Sequence, residues 1–191
     1  QAAESLGMSR AVLRSEIKKI RHDLRLVRSG RTPPLRDEKI LTAWNGLMVS
    51  AFARGGFVLN SPRYLSYARR AAEFLLLGVR AKGRLSRVFF AGESSGPGFL
   101  SDYAFLIAGL LDLFEADPDL RWLNAAIELQ DIVNSEYGDE EGGAYFRVPR
   151  GVDALFTRQK IGSDGALPSG NSVTALNLLR LYEYTLNADY Q

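Results

Sequence analysis

The chain reads as an all-α protein of repeated helical hairpins, forming part of a closed toroid or of an open solenoid. Three observations predict this. Apolar residues recur at helical spacing through most of the 191 residues. Helices that are apolar nearly all round alternate with helices that are apolar on one face only. The pattern also repeats: Leu65 and Leu123 lie 58 apart, Ala68 and Ala126 also 58, and Pro62 and Pro118 56.

In chain order, Leu13, Ile17, Ile20, Leu24 and Val27 form one stripe of an amphipathic helix over residues 9–29, with Ser9 as N-cap and Gly30 just past its end. Its outer face is basic. Residues 1–36 hold nine Arg or Lys against three acids, the rest of the chain fifteen against nineteen, and the whole carries +2. No aromatic residue interleaves the arginines and the net charge is small, so a solvated face is expected, with no nucleic-acid partner. His22 falls off the apolar stripe and reads as a surface residue. Thr32-Pro33-Pro34 then breaks the helix. The expected organisation is a basic helix and Pro linker over 1–35, and a partial toroid over 36–191 with about three inner and two outer helices.

The first inner helix is expected from Glu38 to Arg54, where Ile40, Leu41, Trp44, Leu47, Met48, Val49 and Phe52 leave little polar surface. An outer helix follows Asn60-Ser61-Pro62, with Tyr64, Leu65, Ala68, Ala72, Leu75 and Leu76 on its apolar face and Arg63, Arg69, Arg70 and Glu73 opposite. The pair recurs as Ser101 to Glu115 and Asp119 to Tyr137, and a third inner helix is expected from Ser169 to Tyr184. Gly-flanked β-prone patches, Arg87 to Phe90 and Ala144 to Val148, read as short hairpin-like loops at one end of the array. At about 57 residues per unit, six hairpins would need roughly 340 residues, so this chain holds about half a ring. It starts without Met and stops just after a helical pattern, and is expected to be a fragment of something longer.

Composition removes several chemistries. Without Cys there is no disulfide, thiol nucleophile, zinc finger or iron–sulfur cluster in this stretch, and a single His cannot supply a site that needs two imidazoles. No phosphate-binding glycine loop, dinucleotide fingerprint or serine elbow is present, so no cofactor is expected. Asp139-Glu140-Glu141 lacks alternating ligand spacing and reads as a solvated turn; no metal is expected. No run is long enough to span a bilayer and no targeting signal opens the chain, so a cytoplasmic protein without a membrane partner is expected.

Each inner helix opens on a polar cluster: Asp37 with Trp44 and Asn45, then Ser101-Asp102-Tyr103, then Asp164 with Ser169 and Asn171. Asp37, Ser101 and Ser169 suit helix caps. Capping leaves the other polar groups unexplained, because a buried helix tolerates them only where they face a wet cavity. A cavity of Trp, Tyr, Asn and Asp is the composition of a sugar site, where aromatic faces stack on C–H surfaces while amides and carboxylates take hydroxyls. Asp37, Asp102 and Asp164 are the candidate catalytic residues, and the field at the helix N-termini is expected to lower their pKa values. Trp44, Asn45, Tyr103, Ser169 and Asn171 are the candidate substrate-binding residues. A scaffold whose polar helix starts merely cap, and which binds a protein or peptide, is the other reading.

At these same residues the chain resembles the YyaL-type family of thioredoxin domain-containing proteins. The matching stretches are Arg31 to Met48, Gly98 to Ile107 with Leu110 to Leu113, Gly142 to Phe146, Arg158-Gln159-Lys160, and Asp164 to Ser172, in the family's order. The resemblance implies the first half of an (α/α)6 toroid similar to N-acylglucosamine 2-epimerases and six-hairpin glycosidases, preceded by a thioredoxin-like partner domain. It adds Arg158 to the substrate-binding candidates and implies a role in carbohydrate metabolism. If the protein is an enzyme, the resemblance implies chemistry like that of a sugar isomerase, epimerase or glycosidase. The epimerase relatives use paired histidines as acid and base. With His22 alone here, that reaction would need groups from outside this chain. The alternative that the toroid binds clients of the redox domain stays open.

Overall fold

The computed structural model describes residues 2–152 and 157–191. The chain divides into two compact units, Gln1–Glu38 and Lys39–Gln191.

The first unit holds a short helix α1 (Ala2–Ser5) and the basic helix α2 (Arg10–Ser29), which buries no residue. Ser9 caps α2 by accepting the Val12 N–H at 3.3 Å, and the Gly30 N–H closes the other end on the Leu26 carbonyl.

The second unit alternates inner and outer helices. A two-residue strand β1 (Ile40–Leu41) leads into α3 (Thr42–Val58), and α4 (Pro62–Gly78) completes the first hairpin. Strands β2 (Arg80–Ala81), β3 (Arg84–Phe90) and β4 (Glu93–Pro97) precede the second hairpin, α5 (Leu100–Ala116) and α6 (Leu120–Tyr137). Helix α7 (Gly170–Thr185) is the next helix, and a 3-10 turn lies at Ala188–Tyr190.

Helix α5 is the centre of the unit. Twelve of its residues, from Leu100 to Leu113, are buried, and it packs against α3, α6 and α7. Each fully buried Leu among them contributes on the order of 2 kcal/mol of transfer free energy. The outer helices bury one stripe each: Ala68, Ala72 and Leu75 on α4, and Trp122, Leu123, Ala126, Leu129, Val133 and Tyr137 on α6. Apart from the adjacent Trp122 and Leu123, these recur at steps of three and four, as an amphipathic helix requires. Close approach of α3 to α5 depends on two glycines. A Cβ on Gly46 would lie 2.7 Å from the Leu106 nitrogen, and one on Gly109 would lie 2.7 Å from the Gly46 carbonyl oxygen.

The expected hairpin-like loop at Arg87 to Phe90 is more extensive than a loop. Strand β3 pairs antiparallel with β1, β2 and β4, with Ile40 opposite Phe89 and Leu41 opposite Val88. The β3–β4 turn places Ala91 at φ 51° and Gly92 at φ 88°, the positive pair a tight two-residue hairpin needs. Pairing with β3 also holds residues 40–41 extended, so α3 begins at Thr42 rather than at Glu38. The second patch makes a single bridge, Gly138 to Tyr145. No helix among the described residues is long and apolar enough to cross a membrane.

Candidate functional site

A side chain at the start of α5 ties its first turn to that of α3, and side chains at the start of α7 tie that helix to its flanking loops. Asp102, third residue of α5 and fully buried, is the main tie. One carboxylate oxygen accepts the Ala43 N–H at the head of α3 at 2.9 Å, and the other accepts the Phe99 N–H at 2.7 Å. Arg87, reaching from β3, pairs with the second oxygen at 3.2 Å. Burial pushes the Asp102 carboxyl up from its ordinary pKa, against the opposing pull of the Phe99 amide, Arg87 and the Ala43 amide. The lowering expected from the helix field is therefore reversed, because desolvation outweighs it.

At the head of α7, Ser169 is the N-cap and accepts the Ser172 N–H at 3.0 Å. Asp164 accepts the Ser169 N–H and the Ser172 hydroxyl, each at 2.8 Å. These donors hold its carboxyl below the usual range, in the expected direction. Asn171 closes the loops around the helix start. Its carbonyl accepts the Tyr145 N–H at 2.8 Å, and its amide donates to the carbonyls of Tyr145 and Ile161, each at 2.9 Å. Gly170 lets α7 reach α5, since a Cβ there would sit 2.9 Å from Leu100 Cγ.

Between these two helix starts lies a cavity of about 320 Å³. Arg87, Phe99, Ser101, Arg147, Ser169 and Asn171 line it, with apolar surface from Ile161 and Leu167. The structure thus brings Ser169 and Asn171 together in one cavity, with Asp102 behind Arg87 and Asp164 behind Ser169. The remaining candidates lie elsewhere. Tyr103 is buried, accepts the Leu85 N–H at 2.9 Å, and lies with its ring 5.3 Å from that of Tyr137 beside a second cavity of about 290 Å³. The Tyr137 hydroxyl donates to the Gly98 carbonyl at 2.6 Å, and burial raises its pKa. Trp44 is 60% exposed on α3, and the Asn45 amide donates back to the Leu41 carbonyl at 2.9 Å. Arg158 donates to the Val148 and Glu136 carbonyls at 2.7 and 2.9 Å and stacks on Phe146. Asp37 is exposed and belongs to the first unit.

Among the lining residues that escaped the sequence reading are Arg87, Phe99 and Arg147. The two guanidinium carbons lie 4.2 and 4.6 Å from the centroid of the Phe99 ring. Their positions, 12 and 48 residues from Phe99, form no motif; the Gly-flanked β-prone patches that carry both arginines are the only signal. Among the described residues no group of three or more His, Cys, Asp or Glu is placed to hold a metal ion.

No family model matches the chain. Human spermatogenesis-associated protein 20 is 45% identical to it over 175 residues, which are 85% of this chain and 22% of that protein. The chain is a homologue of spermatogenesis-associated protein 20. It spans about a fifth of that protein's length. Among solved structures, it is similar to cellobiose 2-epimerase from Bacillus thermoamylovorans, with a TM-score of 0.64 and 18% identity over 81% of this chain and 42% of that one. A GH76 α-mannanase from Bacteroides thetaiotaomicron gives a TM-score of 0.60 and 16% identity over 83% and 43%. At these identities the likeness establishes the fold alone, that of part of an (α/α)6 toroid of the epimerase and glycosidase kind.

Proposed function

We propose that this toroid segment binds a carbohydrate-like small molecule in the cavity at the starts of α5 and α7. The observation that carries the reading is the cavity itself: its volume of about 320 Å³ falls in the range of small-ligand sites, ~300–1,000 Å³. It offers the Ser101 hydroxyl beside the Phe99 ring and an apolar flank, in a wall that Ser169 and Asn171 hold in shape through Ser172, Tyr145 and Ile161. Solved relatives of the same fold act on sugars, which supports the same reading.

In this proposal the lining side chains bind and orient the ligand. Asp102 is a positioning residue that acts through Arg87 and Phe99, and Asp164 positions the α7 start through Ser169. The reading gives Asp37, Asp102 and Asp164 no catalytic service in this cavity, and Asn45, Tyr103 and Arg158 serve backbone partners; exposed Trp44 is left for sugar contact in the fuller site of a complete toroid, with isomerase, epimerase or glycosidase chemistry as the candidates. A thioredoxin-like companion domain and a cytoplasmic role in carbohydrate metabolism complete the proposal, supported by the resemblance of the Arg31 to Met48 block. The test is calorimetric titration of the full-length protein with mono- and disaccharides, alongside Ser101→Leu, which fills the cavity. We expect binding that Ser101→Leu weakens at least about tenfold with the fold intact. Absence of saccharide binding, or binding indifferent to Ser101→Leu, overturns the reading.

One observation favours a second reading, a helical scaffold that binds a partner or client. Trp44 and Met48 on α3, and Leu176 and Leu179 on α7, are each about half exposed or more. Under that reading, substitution of these four by polar residues abolishes partner binding and leaves saccharide titrations flat.

A further inference from the structure

Charge is unevenly distributed around the cavity. Its lining includes two guanidinium groups, those of Arg87 and Arg147, and no carboxylate. Arg87 is partly neutralised by Asp102 at 3.2 Å. Arg147 is exposed, and among the described residues no carboxylate pairs with it. Both guanidiniums lie against the Phe99 ring, and the backbone there is fixed by the Phe99 N–H on Asp102 and by the Leu100 N–H on the Arg147 carbonyl at 2.9 Å. Arg87 is therefore held on Asp102 before any ligand arrives, and Arg147 rests on the Phe99 ring. Preorganisation of this kind lowers the entropic cost of binding.

Ser101, Gly170 and Asn171 add to the same field. They are first-turn residues of α5 and α7, where backbone amides have no intrahelical acceptor and the helix dipole is positive. Planar guanidiniums favour carboxylate or phosphate over neutral hydroxyls. A neutral sugar would offer these guanidiniums no charge partner.

We infer that the ligand of this cavity carries an anionic group, a carboxylate or a phosphate, taken between Arg87 and Arg147. The inference rests on the sugar-binding reading above for the remainder of the ligand. Arg147 is the specificity-determining residue. Arg87 shares the contact and is tied to the core through Asp102.

The test titrates the full-length protein with glucuronate, glucose 6-phosphate, glucose and inorganic phosphate, in the wild type and in Arg147→Gln and Arg147→Lys. At least one acidic sugar should bind about tenfold or more tightly than glucose, with an affinity that falls as salt rises. Which acidic sugar prevails distinguishes carboxylate from phosphate. Arg147→Gln should remove roughly tenfold of the acidic sugar's affinity and lower that of glucose by clearly less, and Arg147→Lys should keep part of the acidic sugar's affinity. Glucose binding as tightly as both acidic sugars overturns the anionic inference and leaves the sugar reading standing. A preference for acidic sugars that persists in Arg147→Gln removes Arg147 from it. Inorganic phosphate binding that depends on Arg147, with no sugar bound, keeps the anion site and overturns the sugar reading.

Discussion

Asp102 holds Arg87 at 3.2 Å from a carboxylate side chain that is itself 1% exposed. The same carboxylate receives the Ala43 and Phe99 amides, so one buried side chain joins the starts of α3 and α5 to the cavity's guanidinium. Replacing it with Asn keeps the volume but turns one acceptor into a donor facing donors. Asp102→Asn should destabilise the fold by about 2 kcal/mol, seen as a lower urea midpoint at unchanged m-value. It should also weaken ligand binding through the loss of Arg87 positioning.

The α3–α5 crossing gives a prediction about packing alone. Since a Cβ on Gly46 meets backbone atoms of Phe105 and Leu106 at 2.7 Å, the helices must part to admit it. Gly46→Ala should cost on the order of 2 kcal/mol in chemical unfolding, although alanine has the higher helix propensity. A stability gain from this substitution would show that the helices are not in close contact there.

Asn171 makes three hydrogen bonds that pin the loops at Tyr145 and Ile161 to the start of α7. Asn171→Ala should destabilise by about 1–2 kcal/mol and raise amide exchange at Tyr145, with ligand affinity falling as the cavity wall loosens.

Stability should fall in acid over a defined window. Asp117 accepts two hydrogen bonds from Arg69, at 2.6 and 2.7 Å, and this pairing holds its carboxyl below the usual carboxylate range. A carboxyl depressed in the folded state adds stability that is fully present above its unfolded value, about pH 4, and is lost as pH falls through the folded value. Asp139, lowered by Lys160, and Glu128, lowered by Arg80, act in the same sense. Urea midpoints measured between pH 5 and pH 2.5 should decline below about pH 4, and Asp117→Asn should flatten part of that decline.

Much of the helical array is legible in local pattern. Pro62 opens α4 as the Asn60-Ser61-Pro62 break predicts, and the expected segments of α5, α6 and α7 agree with the structure to within one residue at each boundary. The start of α3 is not legible, because Ile40 and Leu41 are drawn into a strand by Phe89 and Val88, nearly fifty residues away. Helical periodicity carries no information about such a partner. At the site, Ser169 and Asn171 are visible as polar residues opening a helix, whereas Arg87 and Arg147 approach Phe99 only after sheet and loop have folded. Tyr103 and Asn45 carry the polar signature of a cavity yet spend it on backbone partners, Leu85 and Leu41. Sequence alone cannot separate those two uses of a polar group.

The account depends most on the cavity between α5 and α7. Its most direct test is a crystal structure of the full-length protein soaked with the saccharide that binds best in calorimetry. The prediction is a sugar within hydrogen-bonding distance of Ser101, with its anionic group on Arg147. A saccharide bound at another place in the toroid, with this cavity empty, would contradict it.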